Sequence, residues 1–263
     1  RTFAQKDKLD GLYRTRFSQD VYGASLGYDR AIRTDDANRW LFGVKGSYTK
    51  ADQDANGIWG GSGKNESFGA ALYATWTHVD GWYADGIVTW DRYRQEIKDH
   101  MLDGTPVSGH FNRYSAGASI EGGRKIALSG DFFIEPQLQL SYFWLKGKNF
   151  TMNNGMEVET ENADVVTGRA GVVIGKQWQI SPSRWVQPYL KGGVIHEFTG
   201  DDKTVINTIH TFDGDIAGTR GYYGVGLDWR INGQARLYGE VERQDGDHIK
   251  SLWNATVGLR VAF

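Results

Sequence analysis

Apolar and polar residues alternate along much of the chain. The last eleven residues, WNATVGLRVAF, place six apolar side chains on one face of an extended segment: Trp253, Ala255, Val257, Leu259, Val261 and Phe263. The same alternation recurs in FGAALYATW (68–76), IEPQLQLSYFW (134–144) and RGYYGVGLDWRI (220–231). A period of two is typical of a β-strand with two chemically different faces. The pattern therefore predicts an all-β protein.

The length of these runs and the spacing between them suggest how the strands are arranged. Many runs last ten residues or more, whereas strands in soluble proteins average about 5–6 and a tilted membrane-spanning strand needs about 9–11. Short turns at 78–81, 180–184 and 231–234 alternate with longer polar segments at 52–66, 99–110, 149–162 and 200–215. These connections predict about twelve strands, the first a stub at 1–5. An even number places both chain ends on the short-turn side.

Composition narrows the class of protein. The 263 residues include 35 Gly and 13% aromatics but only 4 Pro, which favours strands over helices. The net charge of −2, without a block of like charge, argues against a nucleic-acid partner. The absence of Cys excludes disulfides and thiolate metal sites. Mean hydropathy is −0.51 and no long apolar run is present, which excludes a transmembrane helix but not a transmembrane barrel.

Alternation alone does not show which face meets water, since a soluble β-sandwich would have the same pattern. Long strands, a polar face rich in Gly and charges, and aromatics near strand ends favour a membrane barrel. The tryptophans predicted for this aromatic girdle are Trp40, Trp76, Trp82, Trp144, Trp178 and Trp185. We therefore predict one domain over residues 1–263, a closed transmembrane antiparallel up-and-down barrel. Lipid-facing positions include Phe68, Leu72, Leu138, Val172, Val225, Leu227 and Leu259.

Several blocks resemble a known family. EPQ (135–137), QPY (187–189), HEF (196–198) and GTRG (218–221) stand in the order and spacing of the C-terminal translocator domain of type V secretion autotransporters, the pertactin and adhesin group. The resemblance implies a twelve-stranded barrel in the Gram-negative outer membrane that exports its own N-terminal passenger to the cell surface and anchors it there. It also implies a linker helix in the pore. The passenger and most of this linker are expected to lie outside the present sequence.

The polar face of the predicted barrel is interpreted as the wall of its lumen. Its charged candidates are Asp85, Glu121, Glu135, Arg169, Lys191, Arg220, Asp228, Arg230, Glu240 and Arg260. Such a wall presents no apolar surface to a passing polypeptide, and some of its charges could hold the linker helix. The alternative is that these charges only solvate and stiffen the wall. No cofactor and no metal site are expected, since no metal-binding motif occurs.

An outer-membrane protease, a phospholipase or a simple pore remains the competing class. An enzyme needs a nucleophile or acid with a histidine in a defined arrangement, but the six histidines are scattered and no GxSxG motif occurs. No catalytic residue is therefore predicted. A narrower alternative is cleavage of the chain's own linker inside the barrel, for which Asp85, Asp91, Glu121 and Glu135 could supply carboxylates.

The C-terminal strand is predicted to have a second role. Val257, Leu259, Val261 and Phe263 form an apolar row ending in a free carboxylate, which an outer-membrane assembly machine could bind by strand addition. The alternative is a plain wall strand. The expected partners are thus the passenger with its linker helix, the assembly machinery and the lipid bilayer. The barrel itself is expected to be a monomer.

Overall fold

The computed structural model describes residues 1–10, 16–56, 60–101, 103–206, 210–215, 218–246 and 249–262. All described strands belong to one sheet, in which every pairing is antiparallel. They are β1 (Thr2–Asp10), β2 (Arg16–Arg33), β3 (Asn38–Asn56), β4 (Gly61–His78), β5 (Trp82–His100), β6 (Pro106–Arg124), β7 (Ile126–Ala127), β8 (Phe132–Leu145), β9 (Lys148–Thr151), β10 (Glu157–Thr160), β11 (Ala163–Lys176), β12 (Trp178–Ser181), β13 (Arg184–Ile206), β14 (His210–Asp215), β15 (Gly218–Arg230), β16 (Ala235–Gly246) and β17 (Ile249–Val261). A 3₁₀ turn lies at Ser129–Asp131. Within these ranges no helix has the length and apolar character needed to cross a membrane.

Twelve long strands close into a barrel. They are β1 to β6, β8, β11, β13, β15, β16 and β17, and each pairs with the next along the chain. The ring is sealed by β1, which pairs with β2 on one side and with β17 on the other, from Thr2↔Val257 to Leu9↔Ile249. The predicted up-and-down barrel of about twelve strands is confirmed. The predicted stub at 1–5 is too short, because β1 continues to Asp10.

The two ends of the barrel differ in their connections. One end, here called the turn end, carries the tight turns at 34–37, 79–81 and 231–234 together with Ala262. In the first turn the Asp35 carboxylate accepts hydrogen bonds from the backbone N–H groups of Ala37 (2.8 Å) and Asn38 (2.7 Å). The Asn38 side chain donates as well, and these bonds hold the pKa of Asp35 below its usual value. The first strand thus begins with its N-terminus directed toward the short-turn side, beside Ser25, and the last strand ends on that side, as the even strand number predicts.

At the opposite end, the loop end, the sequence prediction was wrong. The segments 52–66, 99–110, 149–162 and 200–215 consist largely of strand, with β3 and β4 continuing well beyond the alternating region. These polar and glycine-rich segments were predicted as loops because every strand was expected to have one apolar face. Above a membrane both faces of a hairpin meet water, so backbone pairing persists without apolar alternation.

One loop-end hairpin, β9–β10, folds toward the barrel axis. Phe150 stacks on Phe111 with ring centroids 4.1 Å apart. Met152 and Val158 are buried with Val107 in the same cluster. Val107 and Phe111 share the inward-facing parity of β6 with Arg113, so the hairpin covers part of the inner surface. The loop-end opening is therefore narrower than the barrel below it.

The outer face is apolar and the inner face polar, the reverse of a soluble protein. Leu138 is 68% exposed and Leu259 is 59% exposed, whereas Glu197 and Asp228 are buried. Phe68, Leu72, Val225 and Leu227 are exposed on the same outer side, and Val172 pairs with Pro136 on that side. The predicted lipid-facing set is confirmed.

The aromatic girdle is only partly as predicted. Trp40, Trp82 and Trp178 are exposed outward at the turn end. Trp185 does not belong to the girdle, because it shares the inward parity of Gln187 and Tyr189. Its ring lies 5.5 Å from the Arg236 guanidinium, measured to the ring centroid. Trp185 was predicted to belong to the girdle because it stands near a strand end, but the face on which a side chain lies is set by its parity in the strand.

Inward tyrosines lie flat over glycines of the neighbouring strand. A Cβ at Gly43 would overlap the Tyr73 ring, whereas one at Gly46 in the same strand would meet no atom within 4 Å. We expect Gly43→Ala to destabilise the barrel by about 1–3 kcal/mol, because Tyr73 must move. Gly46→Ala is the matched control and should have little effect. Urea unfolding in a defined detergent, followed by tryptophan fluorescence, measures both, and equal stabilities would contradict the packing described.

Candidate functional site in the barrel lumen

A network of paired charges lies on the inner face of β11, β13 and β16. The Lys191 ammonium contacts the carboxylates of both Glu240 and Glu242, the second at 2.5 Å. Arg169 Nη2 lies 2.7 Å from Glu242 Oε2. Glu242 and Lys191 are largely buried, with 7% and 12% of their side-chain surfaces exposed. These charges neutralise one another and fix this part of the wall.

The network continues toward the loop end. Gln244 Nε2 donates to Glu242 Oε1 at 2.8 Å, and Gln244 Oε1 accepts from Arg220 Nε at 3.1 Å. Arg220 in turn forms a 2.8 Å ion pair with Glu197, which is buried. An unbroken chain of polar contacts therefore follows the inner wall from Lys191 to Glu197. Alternation of strand residues brings these groups to one surface although they are distant in sequence.

Tyrosines complete this wall, and sequence reasoning missed them. Tyr189 donates its hydroxyl hydrogen to Glu240 at 2.8 Å. The Arg169 guanidinium lies over the Tyr222 ring, 3.7 Å from its centroid, a cation–π contact. The available signal was an inward-parity tyrosine in register with a glycine of the next strand, as in the pair Tyr189↔Gly226.

A second group of charges surrounds the turn-end mouth. Arg236 forms a two-pronged ion pair with Asp228, its Nε lying 2.6 Å from Oδ1. Arg260 pairs with Asp29 at 2.5 Å, and Tyr73 donates to the same carboxylate at 2.9 Å. These residues line a cavity of about 630 Å³ inside the barrel, together with Lys45, Asp85 and the first residue, Arg1.

Arg230 does not join this group. Its guanidinium donates to the backbone carbonyls of Asn232 (3.4 Å) and Gly233 (3.5 Å) in the adjacent turn. Arg230 keeps the inward parity of its register partners Trp185 and Arg236, but it lies at the rim of the turn end. Being last in its strand, it has a turn beside it instead of a facing wall.

An arc of carboxylates occupies the other side of the lumen, on β5, β6 and β8. Asp85 accepts from Thr75 (3.0 Å), Glu121 from Tyr83 (2.8 Å) and Glu135 from Gln137 (2.8 Å). Asp85 and Glu121 are direct cross-strand partners. In the described part of the chain, these three carboxylates and Asp91 have no Lys or Arg nitrogen within 4 Å. We call these four residues the acidic arc.

The two sides of the lumen thus differ in charge balance. The β11–β16 side is neutralised by close ion pairs, whereas Asp85, Glu121 and Glu135 of the acidic arc accept hydrogen bonds from neutral donors and meet lumen cations only beyond 4 Å. The lumen therefore has one side held by ion pairs and one side whose carboxylates have no close cationic partner. Among the residues described, no group of His, Asp and Glu has a metal-binding arrangement.

The candidate assembly residues lie away from the lumen. Val257, Leu259 and Val261 are exposed on the outer face of β17, at 52%, 59% and 53%. Their alternation with Thr256, Gly258 and Arg260 places them in contact with lipid. Phe263 lies outside the described residues.

The sequence and the fold both match known proteins. Residues 1–242 match the autotransporter β-domain family model. The chain is 32% identical to the pertactin autotransporter of Bordetella bronchiseptica and 31% identical to the BrkA autotransporter of Bordetella pertussis, in each case over 100% of its own length. It spans only 28% and 26% of these two relatives.

Two solved autotransporter structures have the same fold as this chain. The β domain of the Bordetella autotransporter BrkA superposes with a TM-score of 0.82 and 27% identity, covering 100% of this chain and 97% of the other. The transport unit of AIDA-I from Escherichia coli has the same fold, with a TM-score of 0.79 at 14% identity, covering 100% and 89%. Autotransporter β-domains are barrels of the bacterial outer membrane. The closed twelve-stranded barrel and the family match together show that this chain belongs to the autotransporter β-domain family.

Proposed function

We propose that this barrel conducts its own N-terminal passenger across the outer membrane and then anchors it at the cell surface. The observation that carries the proposal is the polar lumen with Arg1 on its inner wall, at the end of β1 that faces the turn end. The terminal ammonium of Arg1 donates to the Ser25 carbonyl at 3.0 Å, and its guanidinium contacts Thr256 Oγ1 at 3.3 Å. Polypeptide attached before Arg1 would begin inside the lumen wall. The autotransporter relatives, which are several times longer than this chain, support the same function.

The two sides of the lumen suit an extended polypeptide in different ways. An unfolded segment carries unpaired backbone N–H and C=O groups, which lose free energy if they are buried against apolar surface. The hydrophilic wall lets these groups keep water or polar partners. The acidic arc adds long-range attraction for lysine and arginine side chains of the segment that occupies the pore, which in the resting protein would be the linker.

The test uses the complete gene product with its passenger in living cells. Passenger export is measured as the rate at which the passenger becomes accessible to external protease after pulse labelling. We expect Asp85→Asn with Glu121→Gln to slow this rate several-fold at normal barrel assembly, because the field of the acidic arc is weakened. Asp36→Asn with Asp80→Asn, at exposed turns, is the matched control. Export that persists when the barrel segment is deleted would refute the proposal itself.

We further propose that the end of β17 is bound by the outer-membrane assembly machinery before insertion. The apolar row Val257, Leu259 and Val261 and the terminal Phe263 support this, since strand addition combines backbone hydrogen bonds with alternate side chains. Phe263→Ser should slow membrane assembly in cells much more than it lowers the stability of the finished barrel. The control Phe68→Ser, on the lipid face of β4, should do the opposite.

Pulse labelling followed by the appearance of the heat-modifiable folded form measures assembly, and urea unfolding measures stability. Equal assembly rates for Phe263→Ser and the parent would leave this segment as a wall strand only.

A further inference from the structure

The outer faces of β3, β4 and β5 carry two rows of aromatic side chains. In each strand two outward aromatics stand eight residues apart: Trp40 and Tyr48, Trp76 and Phe68, Trp82 and Trp90. Eight residues span about 26 Å along a strand, or about 20 Å across a membrane at the usual tilt. This matches the aromatic girdles at the two interfaces of an outer membrane. The row nearer the loop end, here called the upper row, consists of Tyr48, Phe68 and Trp90. It marks the outer-leaflet boundary.

Immediately beyond the upper row, the aromatics give way to cations. Lys50, Lys64, Arg92 and Arg94 project outward from the three strands, and Arg92 shares a cross-strand row with Phe68 and Tyr114. They line a groove of about 630 Å³ on the outer surface, together with the outward-facing Glu66, Glu96, His110 and Asn112. The groove thus opens at the depth where lipid headgroups begin.

The carboxylates in and beside the groove balance its cations only in part: Lys50 Nζ lies 3.9 Å from an Asp52 oxygen, while Glu66 and Glu96 are the cross-strand partners of Arg94 and Lys64. Glu96 is paired with Lys98 at 2.7 Å and with His110 at 3.6 Å. Glu66 accepts from the Tyr48 hydroxyl at 3.3 Å. Among the residues that the structure describes, Lys64, Arg92 and Arg94 have no carboxylate oxygen within 4 Å.

Arg94 is held in place without losing its charge. Its guanidinium lies 5.8 Å from the centroid of the Phe68 ring, which orients the side chain against the aromatic row. Arg92 and Lys64 are exposed beside it. The groove therefore combines guanidinium and ammonium donors on its loop-end side with an aromatic surface on its turn-end side.

We propose that this groove binds the phosphate groups of an outer-leaflet glycolipid of the lipopolysaccharide class. Guanidinium groups bind phosphate through paired, charge-assisted hydrogen bonds, and the free cations supply the complementary charge. The aromatic row beneath contacts the acyl chains of the same molecule. The proposal depends on the barrel lying in an outer membrane and is independent of passenger export.

The test measures binding of fluorescent bisphosphorylated lipid A to the full purified chain in a neutral detergent. Arg92→Gln with Arg94→Gln should weaken this binding by about tenfold or more, because charge-assisted hydrogen bonds are lost. Fully dephosphorylated lipid A should bind the parent and the variant equally weakly. Lys146→Gln with Lys148→Gln, at the loop end but outside the groove, removes the same charge and should bind like the parent.

Folding is checked by heat-modified migration on gels. If the double variant does not fold, Lys64→Gln and Arg92→Gln are measured singly, and each should weaken binding of the phosphorylated lipid several-fold. Undiminished binding by the folded groove variants would overturn the proposal. An equal loss in the Lys146/Lys148 control would also overturn it, since the attraction would then be a bulk charge effect. Failure of passenger export in cells does not affect either result.

Discussion

Leu138→Arg is expected to destabilise the barrel by about 2–4 kcal/mol, while Gln139→Arg should change its stability by less than about 1 kcal/mol. Leu138 projects outward and is 68% exposed on the lipid face. It lies six residues into β8, about 15 Å from the turn end and near the middle of an apolar band about 25 Å tall. An arginine there must be desolvated or deform the bilayer.

Gln139 is the matched control, one residue away in the same strand. Its side chain faces the lumen, donates to Ser119 at 2.9 Å and lies in register with Glu121 on one side and Arg169 on the other. An arginine at 139 can meet water and the Glu121 carboxylate. Unfolding of both variants in lipid vesicles, with urea as denaturant, gives the comparison. Equal tolerance would mean that the outer and inner faces have been exchanged.

The second large effect is expected at Glu242→Gln. This carboxylate balances Lys191 and Arg169 within the buried part of the wall, so its neutralisation leaves cationic charge with Glu240 as the remaining close partner. Breaking a buried pair costs about 3–5 kcal/mol in a dry protein interior. Because the lumen admits water, we expect a loss of about 2 kcal/mol.

The control for Glu242→Gln is a double-mutant cycle with Lys191→Met. Removing both charges should cost less than the sum of the two single variants, since neither charge is then left uncompensated. Glu161→Gln, an exposed position at the loop end, should stay within about 0.5 kcal/mol of the parent. Strictly additive single effects would mean that Lys191 and Glu242 do not interact.

Much of the barrel follows from the sequence because each wall strand separates two different solvents. Lipid on one side and water on the other impose the period of two, so the outward positions of Leu138 and Val225 could be predicted without contacts. Beyond the membrane this constraint disappears. For that reason β13 was predicted to end near residue 200, whereas it continues to Ile206.

Alternation also fails wherever the register shifts. Ser251 and Trp253 have the same parity, yet Ser251 is buried while Trp253 is 40% exposed. Asp7 pairs with Ser251 and Lys6 with Trp253, so Leu252 is an extra residue in a β-bulge. Nothing in the pattern of letters marks this bulge.

The lumen could be predicted only as a set of charges. Parity places Lys191, Glu240 and Arg169 on the inner face, but which groups pair depends on strand stagger and side-chain reach. The division into a neutralised side and an acidic arc therefore appears only in three dimensions. The tyrosines were missed because only charged side chains were taken from the polar faces, although Tyr73 and Tyr222 lie on those faces.

The seam between β1 and β17 sets the timing of folding. Thr2 and Val257, which pair there, are separated by almost the entire barrel sequence, so the first strand of the barrel gains its second partner only after the last strand has been made. Contacts of such large sequence separation form slowly, and unpaired strand edges remain open to aggregation meanwhile. A truncation that removes β17 would therefore leave two edge strands, β1 and β16, unpaired at once.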